Sequence, residues 1–321
     1  MYRKNVFNGM MIALLAALGV MACSGEQPAD TTETTQTDPV FTIGMSQCNL
    51  GEPWRVQMND DIATAAAAHP NIRVIFRDAQ NQTTVQQNHV REFISQGVDV
   101  LLVSPLEAAP LTGPVAEAYE QGIPVIVIDR QVVGDQYTMF IGPDNTRIGE
   151  AAGRWVAERL EGAGKVVELM GLMTSTPGQD RHTGFRNGIE ESEIEVIFEA
   201  DMRWLQPNAQ SEMESALTRF PEIDLVYAHN DPGAYGAYLA ARAAGREQDI
   251  IFVGIDGLPH EGMVYVEQGI LDVSFEYPTG GAEAIEYALK ILEGEEVPKE
   301  LTLPSRFYTR ENLAAGGEWL E

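Results

Sequence analysis

Short apolar runs and helical stretches alternate along this chain from Phe41 to Tyr308, and that alternation admits few folds. The first half reads as strand Phe41 to Ser46, helix Trp54 to Ala68, strand Ile72 to Phe76 and, after the polar loop Asp78 to Thr84, a helix to Gln96. Strand Val98 to Val103, helix Ala109 to Gln121 and strand Pro124 to Ile128 follow. A strand then a helix, repeated, is the signature of a parallel sheet with right-handed crossovers. The pattern then restarts with helix Thr146 to Leu160, strand Lys165 to Met170, a helix from Gln179 and strand Ile194 to Glu199. Helix Pro207 to Arg219, a strand from Leu225, helix Pro232 to Ala244 and a strand from Ile251 come next. Strand Val273 to Glu276, helix Thr279 to Leu292 and one last strand near Leu301 to Tyr308 complete the reading. Two α/β halves of similar size predict a cleft between them, rimmed by strand ends, where a small ligand binds.

Three strands end in charge. Pro124-Val125-Ile126-Val127-Ile128 stops at Asp129-Arg130, the Leu225 strand at His229-Asn230-Asp231, and the Ile251 strand at Asp256-Gly257. An unpaired buried charge costs several kcal/mol, so strands that end this way deliver their groups to a polar cleft or a polar ligand. Asp129, Arg130, Arg181, Asn230, Asp256 and Glu276, with Trp54 and Trp204, form the candidate set. Carboxylates accept, guanidinium donates in a fixed fork and an amide does both, which suits vicinal hydroxyls. Indoles cover the apolar C–H faces of a sugar ring. The pattern points to a carbohydrate or similar polyol.

Charge and motifs exclude other classes. A net charge of −27 leaves no surplus of bases to replace phosphate counterions, so nucleic acid is excluded as a partner. Only four Lys stand against seventeen Arg; the acid excess fits a saline medium and equally an ordinary acidic exported protein. No HExxH, GxSxG or paired-cysteine motif appears, and Gly162-Ala163-Gly164-Lys165 leads into a strand where a phosphate loop would open a helix. His69, His89, His182, His229 and His260 are scattered, and His229 at a strand end reads as a structural hydrogen-bonding residue. A binder is expected, with no enzymatic activity, cofactor or metal.

The N-terminus has a basic head, Met1-Tyr2-Arg3-Lys4, and an apolar run from Met10 to Ala22 that is too short for the about 20 residues of a membrane span. Residues 1–22 therefore read as an export signal, and Val20-Met21-Ala22-Cys23 resembles the lipobox of bacterial lipoproteins, in which the cysteine is lipidated. Met21 is bulkier than that pattern prefers, so ordinary secretion is the other reading. Residues 23–39, rich in Thr, Glu, Gln and Pro, form a tether with too little apolar surface to fold. Cys48 is then the only thiol of the folded part.

An ordered series of short motifs resembles the periplasmic sugar-binding proteins of the ribose-binding type, and most of all the galactofuranose-type members. The series is Ser46-Gln47 with Trp54-Arg55, Asp78 to Gln82, Ser104-Pro105, Ile128-Asp129-Arg130, Asp144-Asn145 with Gly149 and Asp180-Arg181 with Gly184-Phe185. It ends with Val226 to Asp231, Gly254-Ile255-Asp256-Gly257 and Ser274-Phe275-Glu276. The resemblance implies an α/β fold of two Rossmann-like lobes with parallel sheets, joined by a hinge of three crossovers near residues 143–146, 275–278 and 300–304. The implied lobes are residues 40–144 with 277–301, and 145–276 with 302–321. Asp129, Arg130, Arg181, Asn230 and Asp256 match the family's sugar-binding positions. Trp54 and Arg55 fall at its first-loop contacts, and Trp204 near an aromatic that closes over the ring. Glu276 stands where ribose binders carry an amide and galactofuranose-type ones an acid. The implied protein is an extracytoplasmic, lipid-anchored monomer that feeds a sugar to an ABC permease; the alternative partner is a chemoreceptor or sensor histidine kinase. On this reading Asp129→Ala or Arg181→Ala abolishes sugar binding and leaves the fold intact.

Overall fold

The computed structural model describes residues 41–320; the expected export signal, Cys23 and the expected tether lie outside the described residues. Two sheets organise the chain. In the first, β1 (Phe41–Gln47), β2 (Ile72–Asp78), β3 (Val100–Val103), β4 (Val125–Ile128), β5 (Met139–Pro143) and β11 (Glu300–Leu303) lie in the order β11-β5-β4-β3-β1-β2. Every pairing in it is parallel. In the second, β6 (Ala163–Met170), β7 (Glu193–Asp201), β8 (Leu225–Ala228), β9 (Ile251–Asp256), β10 (Val273–Glu276), β12 (Arg306–Thr309) and β13 (Glu318–Trp319) lie in the order β13-β12-β10-β9-β8-β6-β7. Here β12 and β13 run antiparallel at one edge.

Alternation along the strands explains why both sheets are covered on both faces. In β4, Val125 and Val127 pack with Leu101, Val103 and Phe93, whereas Ile126 and Ile128 pack with Val100, Leu102 and Met58. In β8, Val226 and Ala228 face one cluster with Phe252 and Met213, and Leu225 and Tyr227 face another with Val253 and Phe185. Successive side chains point to opposite faces, so a strand that is apolar throughout must be sandwiched. The covering helices are α1 (Pro53–Ala67), α2 (Thr83–Gln96), α3 (Ala108–Glu120), α4 (Asn145–Arg159) and α5 (Thr176–Ile189). They continue with α6 (Gln206–Arg219), α7 (Asp231–Ala243), α8 (Gly262–Gln268) and α9 (Gly281–Leu292).

Several elements differ from the sequence reading, α8 and β13 among them. β5 was not anticipated, because Met139–Pro143 is short and ends in Gly142-Pro143. The single last strand is two: Pro304 interrupts it, placing Glu300–Leu303 on the first sheet and Arg306–Thr309 on the second. Proline lacks the N–H that a continuing ladder needs. The chain thus passes between the sheets after β5, after β10 and after β11.

Candidate functional site

The carboxyl ends of the parallel strands in both sheets meet at one narrow cavity, walled by Glu52, Trp54, Arg55, Asp129, Arg130 and Tyr277 and by Pro177, Arg181, Trp204, Asn230 and Asp256. Eight of the nine residues singled out from the sequence are there. Glu276 is not.

From the first sheet, Asp129 follows β4 and Arg55 occupies the first turn of α1, which Pro53 opens at a position where a missing N–H costs nothing. Arg55 Nη1 lies 3.0 Å from Gln47 Oε1, 3.0 Å from Ser104 Oγ and 3.1 Å from Asp129 Oδ2. Ser104 also donates to Asp129 Oδ2 at 2.8 Å, and the Tyr277 hydroxyl donates to Asp129 Oδ1 at 2.9 Å. A carboxylate has about four lone-pair sites. Three are engaged, so one is left for a ligand hydroxyl. Burial favours the protonated acid, but the neighbouring Arg55 and Arg130 hold the Asp129 carboxyl below its ordinary range. Arg130 gives Nη1 to Leu106 O at 3.0 Å. Its Nε, 3.7 Å from Asp129 Oδ2, has no hydrogen-bond partner among the described residues.

From the second sheet, Arg181 on α5 gives Nε to Asn145 Oδ1 at 2.9 Å and Nη1 to the carbonyl of His229. Its guanidinium lies 4.3 Å from the Tyr277 ring centre and 5.3 Å from that of Trp204. Asn230 caps α7, accepting from Gly233 N at 3.0 Å and donating to Trp204 O at 3.0 Å. The Trp204 indole presses on Gly171, where a Cβ would lie 2.2 Å from the ring, and its Nε1 has no hydrogen-bond partner among the described residues. The Asp256 carboxyl accepts no hydrogen bond from a described residue; burial, then the nearby Asp231 carboxylate, push its pKa up. Three of these residues hold positive φ without being glycine: Asp129 (69°), Trp204 (67°) and Asp256 (142°). Such backbone costs about 1–3 kcal/mol each and persists where the surroundings over-determine it.

Glu276 is corrected. Its carboxylate accepts from Arg306 Nε at 2.7 Å and Tyr308 OH at 3.1 Å, because antiparallel β12 brings both beside the end of β10. Neighbouring residues of an extended chain face opposite ways, so it is Tyr277 that reaches the cavity. Sequence reasoning missed Tyr277, Glu52 and Pro177. Alternation from the buried Phe275 was the available signal for Tyr277; none marked the other two. Trp54 does not stand free to sandwich a ring from both sides: its Nε1 donates to Tyr277 O at 2.6 Å, and the two rings lie 5.0 Å apart. Cys48 is a buried free thiol beside Gln47, its pKa raised by burial. Among the described residues no group of three or more His, Cys, Asp or Glu side chains could hold a metal ion, and no helix is long and apolar enough to cross a membrane.

Behind Asp256, buried Asp231 accepts from Ser274 Oγ at 2.8 Å and Gly257 N at 2.8 Å, and buried Glu261 has an unpartnered Oε2. Burial, with the Asp231 charge, pushes Glu261 from its ordinary 4.5 to about 8. A carboxyl whose folded pKa is raised stabilises the fold fully below its unfolded pKa, and that contribution is lost as pH rises through the folded value. Glu168 is the opposite case: burial is outweighed by hydrogen bonds from His182 and His229, which hold it at about 2, so its contribution is lost as pH falls from 4.5 toward that value. The melting temperature is expected to be highest near pH 4.5 and to fall between about pH 4.5 and 8, by an amount worth on the order of a few kcal/mol. Glu261→Gln should flatten that fall in a calorimetric pH series; a variant with the parental slope would exclude Glu261 as its source.

A model of the periplasmic binding protein domain matches residues 43–296. The ribose import binding protein RbsB of Bacillus subtilis (strain 168) is 30% identical over 303 residues, covering 94% of this chain and 98% of that protein. The galactofuranose-binding protein YtfQ of Escherichia coli (strain K12) is 30% identical over 274 residues, 82% of this chain and 86% of its own. Among solved structures, the fructose-binding periplasmic domain of a hybrid two-component system superposes with a TM-score of 0.84 at 44% identity, covering 86% of this chain and 92% of that domain. The chain belongs to the periplasmic binding protein family, in the branch that includes ribose- and galactofuranose-binding proteins.

Proposed function

We propose that this chain captures one monosaccharide, a hexose in furanose form, between its two halves and delivers it to an ABC importer from the outer side of the membrane, where Cys23 anchors it. The carrying observation is the cavity itself. It is walled from both sheets, and it holds two buried donors, Trp204 Nε1 and Arg130 Nε, and one acid, Asp256, that no described residue pairs. Buried polar groups are normally satisfied, and a neutral polyol supplies hydroxyls that both donate and accept. The fructose- and galactofuranose-binding relatives support the furanose form. Contacts from both halves stabilise the closed form, which a permease then reads. The acid, amide and guanidinium groups serve to grip the ring, and the reading is a binder without chemistry.

The test is calorimetry with D-fructose, D-ribose, D-galactose and myo-inositol. A sugar at a hundred times its Kd should stabilise the protein by about 2.7 kcal/mol, a rise of several degrees in Tm. Glu276→Gln should leave the affinity for that sugar within about twofold, since Arg306 and Tyr308 hold Glu276 away from the cavity. No response to any sugar sinks the reading. A second reading is carried by the fructose-binding domain of the hybrid two-component system: a ligand sensor that docks on a receptor or kinase. A neighbouring gene for a permease and ATPase, against one for a kinase, decides between the two.

A further inference from the structure

Three residues of the cavity wall, Arg181, Trp204 and Asn230, border His229, which lies outside the cavity. His229, fully buried at the end of β8, accepts from the N–H of Gly171 through Nδ1 at 3.1 Å. A backbone N–H can only donate, so Nδ1 is bare and the ring proton sits on Nε2, which donates to Glu168 Oε1 at 3.1 Å. Glu168, wholly buried within β6, also takes His182 Nδ1 at 2.9 Å and Arg186 Nη2 at 3.1 Å. The carbonyl of His229 receives Arg181, and the next residue, Asn230, donates to the carbonyl of Trp204. Gly171, held by the imidazole, is the floor on which the Trp204 indole rests. The charged and polar groups facing this ring are Glu168 from β6, Arg181, His182 and Arg186 from α5, and Tyr227 beside it on β8. Neither Glu168 nor His229 lines the cavity.

We propose that His229, braced by Glu168, is a positioning residue for the sugar site: its two ring nitrogens lock the end of β6 to the end of β8 and so set Arg181, Trp204 and Asn230 in place. A buried imidazole satisfied only for its own sake would need no such pattern. Here every polar atom of the residue except its own amide N–H points to a neighbour of the cavity or to that neighbour's support, and the amide N–H ties β8 to Leu169 O at 2.9 Å.

The affinity part of the test rests on the sugar-binding reading; the spectroscopic part does not. His229→Leu keeps the bulk and removes both nitrogens. In the unliganded protein it should shift the NMR signal of the Trp204 indole N–H, which is assigned by its loss in Trp204→Phe. It should also weaken D-fructose binding by about ten- to a hundredfold. His229→Gln presents an amide oxygen and nitrogen spaced like the ring nitrogens, and it should restore both the signal and most of the affinity. The proposal is overturned if His229→Leu keeps the parental signal and affinity, or if His229→Gln departs as far as His229→Leu does. Should His229→Leu fail to fold, His229→Gln decides alone: a parental indole signal supports the assignment and a displaced one overturns it. A parent protein that binds no sugar removes the functional reading only, because the indole signal still decides the role of His229.

Discussion

Asp129→Ala should abolish sugar binding and also lower the melting temperature by about 6–15 °C. The side chain is the hub of a buried network, with Arg55, Ser104 and Tyr277 all donating to it. Its removal leaves the Arg55 guanidinium, 2% exposed, with only Glu52 at 3.4 Å as an acidic partner. Breaking a buried pair from one side costs about 3–5 kcal/mol, and each kcal/mol moves the Tm of a chain this size by about 2–3 °C. The expectation that this variant leaves the fold intact is therefore revised. Asp129→Asn separates the two effects: it keeps the volume and an acceptor, so Tm should recover more than affinity does. Calorimetric unfolding of the two variants side by side is the measurement. An unchanged Tm in Asp129→Ala would mean that Glu52 alone satisfies Arg55.

The second large effect lies away from the cavity wall. Helices α4 and α5 touch backbone to backbone through two pairs of glycines, Gly149 and Gly153 on one and Gly184 and Gly188 on the other. A Cβ at Gly184 would lie 2.0 Å from the carbonyl oxygen of Thr146, and one at Gly149 would lie 2.4 Å from that of Arg181. Neither neighbour is a side-chain tip that can swing aside. Gly184→Ala should destabilise by about 3 kcal/mol, the upper end of ordinary overpacking, and weaken sugar binding as well, because parting the helices moves the turn that carries Arg181. Gly113→Ala is the control. That glycine sits exposed within α3, and a Cβ would meet nothing within 4 Å beyond its chain neighbours; the following Pro114 disfavours helical backbone at a residue with a Cβ and offsets the gain in helix propensity, so alanine should change stability by less than about 1 kcal/mol. Urea unfolding of both variants reads the difference. Equal effects would remove the close-contact explanation.

Much of the site was legible because charge at the end of an apolar strand has few places to go. Asp129, Arg130, Asn230 and Asp256 were found that way, and each lines the cavity. The failures have local causes. Glu276 and Tyr277 are neighbours that face opposite ways, and only the arrival of Arg306 and Tyr308 from β12 decides which of the two is drawn off. The brace of Glu168 and His229 joins residues 61 positions apart, and nothing in either segment announces the other.

The order of strands and helices, the doubly covered sheets and the acid and base groups at strand tips follow from the sequence, because hydrophobic periodicity and the cost of buried charge act over a few residues at a time. The tertiary structure decided the rest: that Arg55 and Asp129 pair with each other, that Tyr277 closes the cavity, and which donors are left for a ligand. Those outcomes depend on distances between segments remote in the chain, and hydrogen bonding changes over fractions of an ångström that no local pattern encodes.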